Sequence, residues 1–265
     1  MTEARHAVQD RSRLLRVRRH PLLGGAGIVL LLALWETAAR LHWASPLFLP
    51  APSLCAQRAW QLLLAGQLLT NVAASLKRIA WGLALGGSLG VAVGIGTGFL
   101  GSVRAVGQPL IHATYPIPKI AILPLLILWL GIGEAPKVAV IAVGVFFPLA
   151  INTHAGIVTC DPVLLRAAVS FGATRWDLVR KVLLPAALPM ILAGLRLATG
   201  VALLLVVSAE LIAADSGIGF FILNAADLLR TADLMVGLAC LSLLGVAFNG
   251  AITLLERALL RWKQG

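Results

Sequence analysis

Charge is what this sequence has least of. Only 12% of its 265 residues are Asp, Glu, Lys or Arg, against 59% hydrophobic, where an ordinary soluble domain carries about 25% charged residues. A chain this apolar does not stay disordered, and folded in water it would expose far more apolar surface than a soluble globule carries. Cysteine is scarce too. Cys55, Cys160 and Cys240 lie far apart, which excludes a CxxC redox pair, a zinc spacing and a disulfide framework and leaves them as small hydrophobes. No GxxxxGK[ST] loop is present to cradle nucleotide phosphates, and no HExxH, GxSxG or paired-carboxylate arrangement offers a catalytic or metal centre. His42, His112 and His154 stand isolated. Acidic residues number 11 against 22 Lys plus Arg, for a formal charge of +11. In a soluble protein that excess would suggest nucleic acid; in a membrane protein it is an orientation signal.

What the sequence has in quantity is long apolar runs. Crossing about 30 Å of hydrocarbon takes roughly 20 apolar residues in a helix, and six stretches qualify: 22–41, 79–100, 110–130, 137–158, 186–213 and 234–255. Backbone groups in lipid must pair internally, so these are expected to be helices, and the fold class is an all-α membrane protein with six transmembrane helices. With the N-terminus in the cytoplasm, the inner segments hold Arg5, Arg11, Arg13, Arg16, Arg18, Arg19, Arg104, Arg166, Arg175, Arg180, Lys181, Arg257, Arg261 and Lys263. The outer ones hold Arg40, Arg58, Lys77, Arg78, Lys137 and Arg230. Fourteen against six puts both termini inside. Trp43, Trp129 and Trp262 fall at expected span ends, where amphipathic rings favour the interface. The basic run before the first apolar stretch has a sufficient topological explanation. A signal peptide is disfavoured by the five spans that follow, and RNA binding is not needed to explain the arginines.

The organisation expected is a basic cytoplasmic N-terminus (1–20), a first span with an outer interfacial segment (21–73), a transmembrane domain (74–258) and a cytoplasmic C-terminus (259–265). Residues 54–69 are partly apolar but interrupted by Gln57, Arg58, Gln61 and Gln67, and so read as a helix lying on the outer surface. Gly82, Gly86, Gly90, Gly94 and Gly98 recur every four residues in the second span and form a stripe that admits another helix closely, for static packing or for sliding. In the third span Pro116 and Pro118, just after Tyr115, prevent a regular helix. Non-helical backbone at membrane depth survives only against protein or water, so this segment is expected to face the bundle interior or a translocation path. Lys119 is expected to snorkel to the interface. Arg196 and Glu210, about 21 Å apart along the fifth span, cannot pair within it. They are either interfacial anchors or bonded to other helices along a path.

The longest inner loop, 159–185, reads as two short helices. Asp161-Pro162 starts the first, Gly172 stops it, Thr174 to Asp177 has the form of a capping box, and Leu184-Pro185 is expected to end the second. Such a basic, membrane-adjacent surface suits docking of a soluble partner, or is an ordinary amphipathic connector.

The run Arg166-Ala167-Ala168-Val169-Ser170-Phe171-Gly172, followed by Val182-Leu183-Leu184-Pro185, resembles the EAA motif of ABC importer permeases. Ala167, Ala168, Gly172, Leu184 and Pro185 match; Arg166 stands where the motif has Glu, which reverses a charge. The segments 116–134, Phe146-Phe147-Pro148 and 209–219 resemble the nitrate/sulfonate/taurine branch of that family, so the likeness covers about residue 75 to the C-terminus in order. The resemblance implies a type I importer permease (MetI-like) fold in the bacterial inner membrane. It implies that the loop forms a coupling helix, with Arg166, Ala167, Ala168, Phe171, Gly172, Trp176, Leu184 and Pro185 at the ATPase surface. The partners it implies are an ATPase dimer carrying ATP and magnesium, an external solute-binding protein and a second permease copy. No cofactor is expected on this chain, and no nucleic acid. Tyr115, Pro116, Pro118, Arg196 and Glu210 are the path residues expected, and an organosulfonate the favoured solute. The rival is a secondary transporter or channel without an ATPase, which usually carries an internal repeat not evident here. An intramembrane enzyme is disfavoured by the lack of a catalytic constellation.

Overall fold

The computed structural model describes residues 21–43 and 45–260, without the side chains of 21–24. The expectations for the basic N-terminus, for Trp262 and for the extreme C-terminus lie outside the described residues. The chain divides into two compact units, 1–56 and 57–265. No strand occurs among the described residues.

In the first unit, α1 (Pro21–Arg40) occupies the first expected span. Glu36 near its end bonds Arg40 Nε at 2.6 Å and accepts from the Ser53 amide at 3.0 Å and hydroxyl at 2.8 Å. This ties the end of α1 to the start of α2 (Pro52–Leu64), the helix expected on the outer surface.

The second unit is built on α3 (Gln67–Phe99), α6 (Glu134–Val158) and α9 (Leu184–Ala213). Between α3 and α6 run α4 (Gly101–Thr114), a 3₁₀ turn (Lys119–Ile122) and α5 (Leu123–Leu130). The loop between α6 and α9 holds α7 (Pro162–Ser170) and the single turn α8 (Arg175–Asp177); α10 (Ile218–Asp227) and α11 (Thr231–Leu259) follow α9. Four helical stretches among the described residues are long and apolar enough to cross a membrane, and the bent pair Gly101–Thr114 and Lys119–Leu130 supplies a fifth.

Lipid is as apolar as leucine, so close packing rather than water exclusion must hold such helices together. The glycine stripe does this. A Cβ on Gly82 would strike Ile141, one on Gly86 the Ala142 carbonyl, and those on Gly90, Gly94 and Gly98 would come within 2.6 Å of Phe146, Thr153 and Ile157. The offset of 59 residues at 82/141, 94/153 and 98/157 makes α3 and α6 parallel neighbours. On its other side α6 meets α9 in the opposite sense, Gly144 against Val201 and Leu205, Gly156 against Ala187 and Met190. Ile79, Leu123, Val140, Ile141, Val145, Leu149, Ala198, Ala202 and Val206 fill the core between the three.

Three expectations are corrected. The second span begins at Gln67 instead of 79, which places Lys77 and Arg78 inside the helix; Arg78 is only 1% exposed because carboxylates from two other helices neutralise it. Lys119 does not snorkel. Its ammonium folds back onto the carbonyls of Thr114, Tyr115 and Ile117 at 3.0, 2.6 and 2.8 Å, because the bend ends α4 there, leaving Thr114 O only the 3.3 Å bond from Ile117 N, and a cation is favoured at a helix C-terminus. Leu184-Pro185 does not end the second loop helix. A π-helical segment (Leu178–Leu183) runs without interruption into α9; a wider turn accommodates a proline that has no N–H to give and whose ring clashes in a regular α turn.

Candidate functional site

Chemistry-bearing residues gather at the two ends of the bundle and at two points between. At the end where α6 finishes and α9 begins lies the loop 159–183. Asp161 Oδ1 accepts from the Val163 amide at 2.7 Å, capping α7. After Ser170 the chain turns through Gly172 at φ +80°. There Gly172 N donates to Val169 O at 2.9 Å and Ala173 N to Ala168 O at 3.0 Å, the paired bonds of a Schellman stop, which favours glycine at the left-handed position. Thr174 and Asp177 cap each other reciprocally. The Lys181 ammonium at 2.7 Å, with the Thr174 hydroxyl and amide, lowers the Asp177 carboxyl to about 2. Leu183, buried with Ile157, Cys160 and Ala187, anchors the loop to the bundle. Its surface carries uncovered apolar side chains among exposed basic ones: Phe171 is 91% exposed and Trp176 70%, with Arg166, Arg175, Arg180 and Lys181 exposed beside them. Arg166, Ala167 and Pro185 are exposed, Ala168 and Leu184 half-buried. Arg166 makes no ion pair among the described residues.

At the opposite end Arg78 spends every guanidinium nitrogen. Nε and Nη2 donate to Glu134 at 2.7 Å each, Nη1 to Glu210 at 2.7 Å and to Ser216 O at 2.6 Å. Lys137, also buried, lies 3.0 Å from Glu134. Two cations and two anions thus neutralise one another across α3, α6 and α9. The same cluster holds α10. That helix has no cap of its own at Gly217, and its first amides donate instead to side chains of other helices: Gly217 N to Asn71 at 2.8 Å, Ile218 N to Ser75 at 2.9 Å and Gly219 N to Glu210 at 2.8 Å. A carboxylate is well placed at a helix N-terminus. A Cβ on Gly217 would strike the Glu210 carboxylate, and one on Gly219 would come within 2.7 Å of the Val207 carbonyl. Nearby Arg58 forms a two-pronged bond with Asp233, at 2.8 and 2.9 Å.

Between the ends, the chain bends by 92° at 115–118. Tyr115, Pro116 and Pro118 are exposed on this elbow, while the Lys119 ammonium lies 4.2 Å from the Phe147 ring centre. Arg196 reaches α11: Nη2 donates to Glu256 Oε2 at 2.8 Å, with both side chains nearly half exposed.

Of the two readings open for Arg196 and Glu210, both residues therefore bond to other helices. They belong to different places, Glu210 to the buried cluster and Arg196 to an open face. Sequence reasoning missed Ser75, Arg78, Glu134 and Lys137 as a unit. One signal for it was present, since Arg78 precedes Gly82 by four residues and so continues the glycine stripe.

Residues 67–262 match the family model described as binding-protein-dependent transport system inner membrane component. The chain is 38% identical over 242 residues to the taurine transport system permease protein TauC of Escherichia coli (strain K12), covering 89% of this chain and 87% of that one. It is 36% identical over 233 residues to SsuC of Bacillus subtilis (strain 168), named for aliphatic sulfonates transport, with 88% and 84% covered. The riboflavin transport system permease protein RibX of Chloroflexus aurantiacus is 34% identical, with 97% and 96% covered. In fold the chain resembles an inward-facing structure of the MetNI methionine ABC transporter, with a TM-score of 0.61 over 76% of this chain and 97% of that one at 20% identity.

Proposed function

This chain belongs to the binding-protein-dependent transport inner membrane components, it is the permease subunit of an ABC importer, and from that premise we propose that it carries a small anionic solute of the sulfonate or taurine type by alternating access. The permease role makes it a multi-pass inner-membrane protein that works with an ATPase and a binding protein. No nucleotide-binding loop lies on this chain, so ATP and magnesium belong to the ATPase, two copies of which would dock on two copies of this chain, both termini cytoplasmic.

The observation that carries the reading is the loop 159–183: a capped helix, a left-handed glycine stop and a second capped turn, presenting Phe171 and Trp176 uncovered. Apolar side chains this exposed on a rigid projection suit a groove in a soluble partner. Because the second turn is continuous with α9 through Leu178–Leu183, a displacement of the loop is delivered directly into a membrane-spanning helix, the geometry that rigid-body switching requires. The exposed elbow at 115–118 supports the path assignment, since irregular backbone is not tolerated against lipid. The sulfonate preference rests on the relatives named for taurine and aliphatic sulfonates. The test is uptake of labelled taurine and ethanesulfonate by vesicles holding this chain with its ATPase and binding protein. Uptake is expected to need both ATP and the binding protein, and uptake without ATP would overturn the reading in favour of a secondary transporter.

A further inference from the structure

We propose that Lys119 sets the charge preference of the translocation path, its ammonium giving the elbow at 115–118 a positive potential that passes a sulfonate and rejects a cation; this rests on the importer reading above. The depth of the group is fixed by Phe147, whose ring centre lies 4.2 Å from the ammonium. Phe147 stands near the middle of α6, about 20 Å from its start and about 17 Å from its end, so Lys119 sits near the midplane of the hydrocarbon. A charge at that depth is stable only against protein or water. The irregular backbone exposed at 115–118 is not tolerated against lipid either.

The pairing distinguishes this cation from the others in the spans. Arg78 and Lys137 are neutralised by Glu134 and Glu210, and Arg196 by Glu256. Lys77 and Arg104 have no carboxylate partner, but Lys77 adjoins Arg78 at the level where α6 begins, and Arg104 caps the far end of α3 on the carbonyls of Thr97 and Gly98. Lys119 makes no ion pair among the described residues. Its contacts are three carbonyls and the rings of Phe147 and Tyr115, the latter at 5.5 Å. Dipoles and ring quadrupoles orient an ammonium without cancelling its charge, so a full positive charge is left uncompensated at mid-depth.

The neighbouring backbone makes the sign of the elbow depend on this one side chain. Pro116 and Pro118 have no N–H to offer, and three carbonyl oxygens converge on one point. Without the ammonium that point is the negative end of three dipoles and repels an anion; with it the sign is reversed. All three ammonium protons are already engaged, so the group offers charge without a free donor. A sulfonate is therefore drawn past the elbow without being gripped, which lets it leave as well as enter.

The test uses the complete transporter in phosphatidylcholine nanodiscs, with Cys55, Cys160 and Cys240 replaced by alanine and one reporter thiol, Ile117→Cys, on the exposed elbow. The thiol is modified with anionic sulfonatoethyl methanethiosulfonate and with cationic trimethylammonioethyl methanethiosulfonate. Both react by the same disulfide exchange, so the reactivity of the thiol cancels in the ratio of their rates and the local potential remains. Lys119→Gln keeps donors for the carbonyls but loses the charge. It is expected to lower the anion-to-cation rate ratio about tenfold or more, whereas Lys119→Arg holds it within about threefold. A second reporter, Tyr115→Cys, is expected to show the same fall. A purely structural clamp predicts that both rates change together and the ratio stays, which would overturn the inference. So would two reporters that react with neither reagent, because the elbow would then be closed to water. ATP-driven uptake of ethanesulfonate by the unsubstituted complex is measured alongside. Intact uptake with an unchanged ratio overturns the role of Lys119 alone, and absent uptake overturns the importer reading with it.

Discussion

Replacing Arg78 by methionine isolates what the buried cluster contributes. The guanidinium is 1% exposed and the Glu210 side chain 0%. Removing the arginine leaves the Glu210 carboxylate with only Ser75 and the Gly219 amide as partners. Breaking a buried ion pair from one side destabilises by about 3–5 kcal/mol, because the remaining charge is uncompensated. For a unit of this size, about 2–4 °C of melting temperature accompanies each kcal/mol, so Arg78→Met is expected to melt about 6–20 °C lower than the parent. The assay is tryptophan fluorescence on the detergent-purified protein during heating. Arg78→Met combined with Glu210→Met removes both charges and is expected to lose less than the sum of the single changes, with a coupling of about 0.5–3 kcal/mol. A single variant melting within about 1 °C of the parent, or strict additivity in the double variant, would refute the claim that this cluster clamps α3, α6, α9 and α10 together.

The glycine stripe makes a contrasting pair. Gly86→Ala would drive a methyl onto the Ala142 carbonyl and should destabilise by about 1–3 kcal/mol, whereas Gly250→Ala on α11 meets nothing within 4 Å and should stabilise by about 0.5–1 kcal/mol; the same melting assay reads both. Lys119→Met removes three ammonium–carbonyl bonds at the elbow and is expected to cost about 1–3 kcal/mol, with protease cleavage rising at 115–118. In the loop, Asp177 is held at about 2 against an ordinary 3.8, chiefly by Lys181 and Thr174. A lowered carboxyl contributes stability above its unfolded value and loses it as pH falls through the folded one. The turn after Thr174 should therefore hold above about pH 4 and loosen toward pH 2, seen as pepsin cleavage between 171 and 178 that rises across this window in the parent but not in Asp177→Asn.

The sequence was most legible where a signal is local. Asp161-Pro162, Gly172 and the Thr174–Asp177 pair each specify their own backbone through short-range hydrogen bonds, and the structure has all three. The prolines at 116 and 118 announced the break in the third span for the same reason. Long-range pairings left no such local trace. Arg78 looked like a flanking basic residue because its partners, Glu134, Glu210 and Ser216, are 56 to 138 residues away, and net charge near a span end does not reveal that a side chain turns inward. Helix α10 was invisible as a helix because its amide caps come from Asn71, Ser75 and Glu210, none of which is adjacent in sequence. Lys119 and Pro185 were misread for a related reason: standard rules assume a free path to the interface and a helix that must stop, whereas freed carbonyls and a widened turn were available.

The central claim is that the loop 159–183 couples this permease to an ATPase, and one purification tests it directly. The tagged chain is extracted in mild detergent with whatever remains bound, and mass spectrometry compares the parent with Gly172→Arg. At φ +80° an L side chain is strained, and the arginine would project from the docking face beside Phe171. The account predicts an ABC ATPase retained by the parent and lost by the variant, with both chains inserted in the membrane to the same extent. An ATPase held equally by both, or by neither, would contradict it.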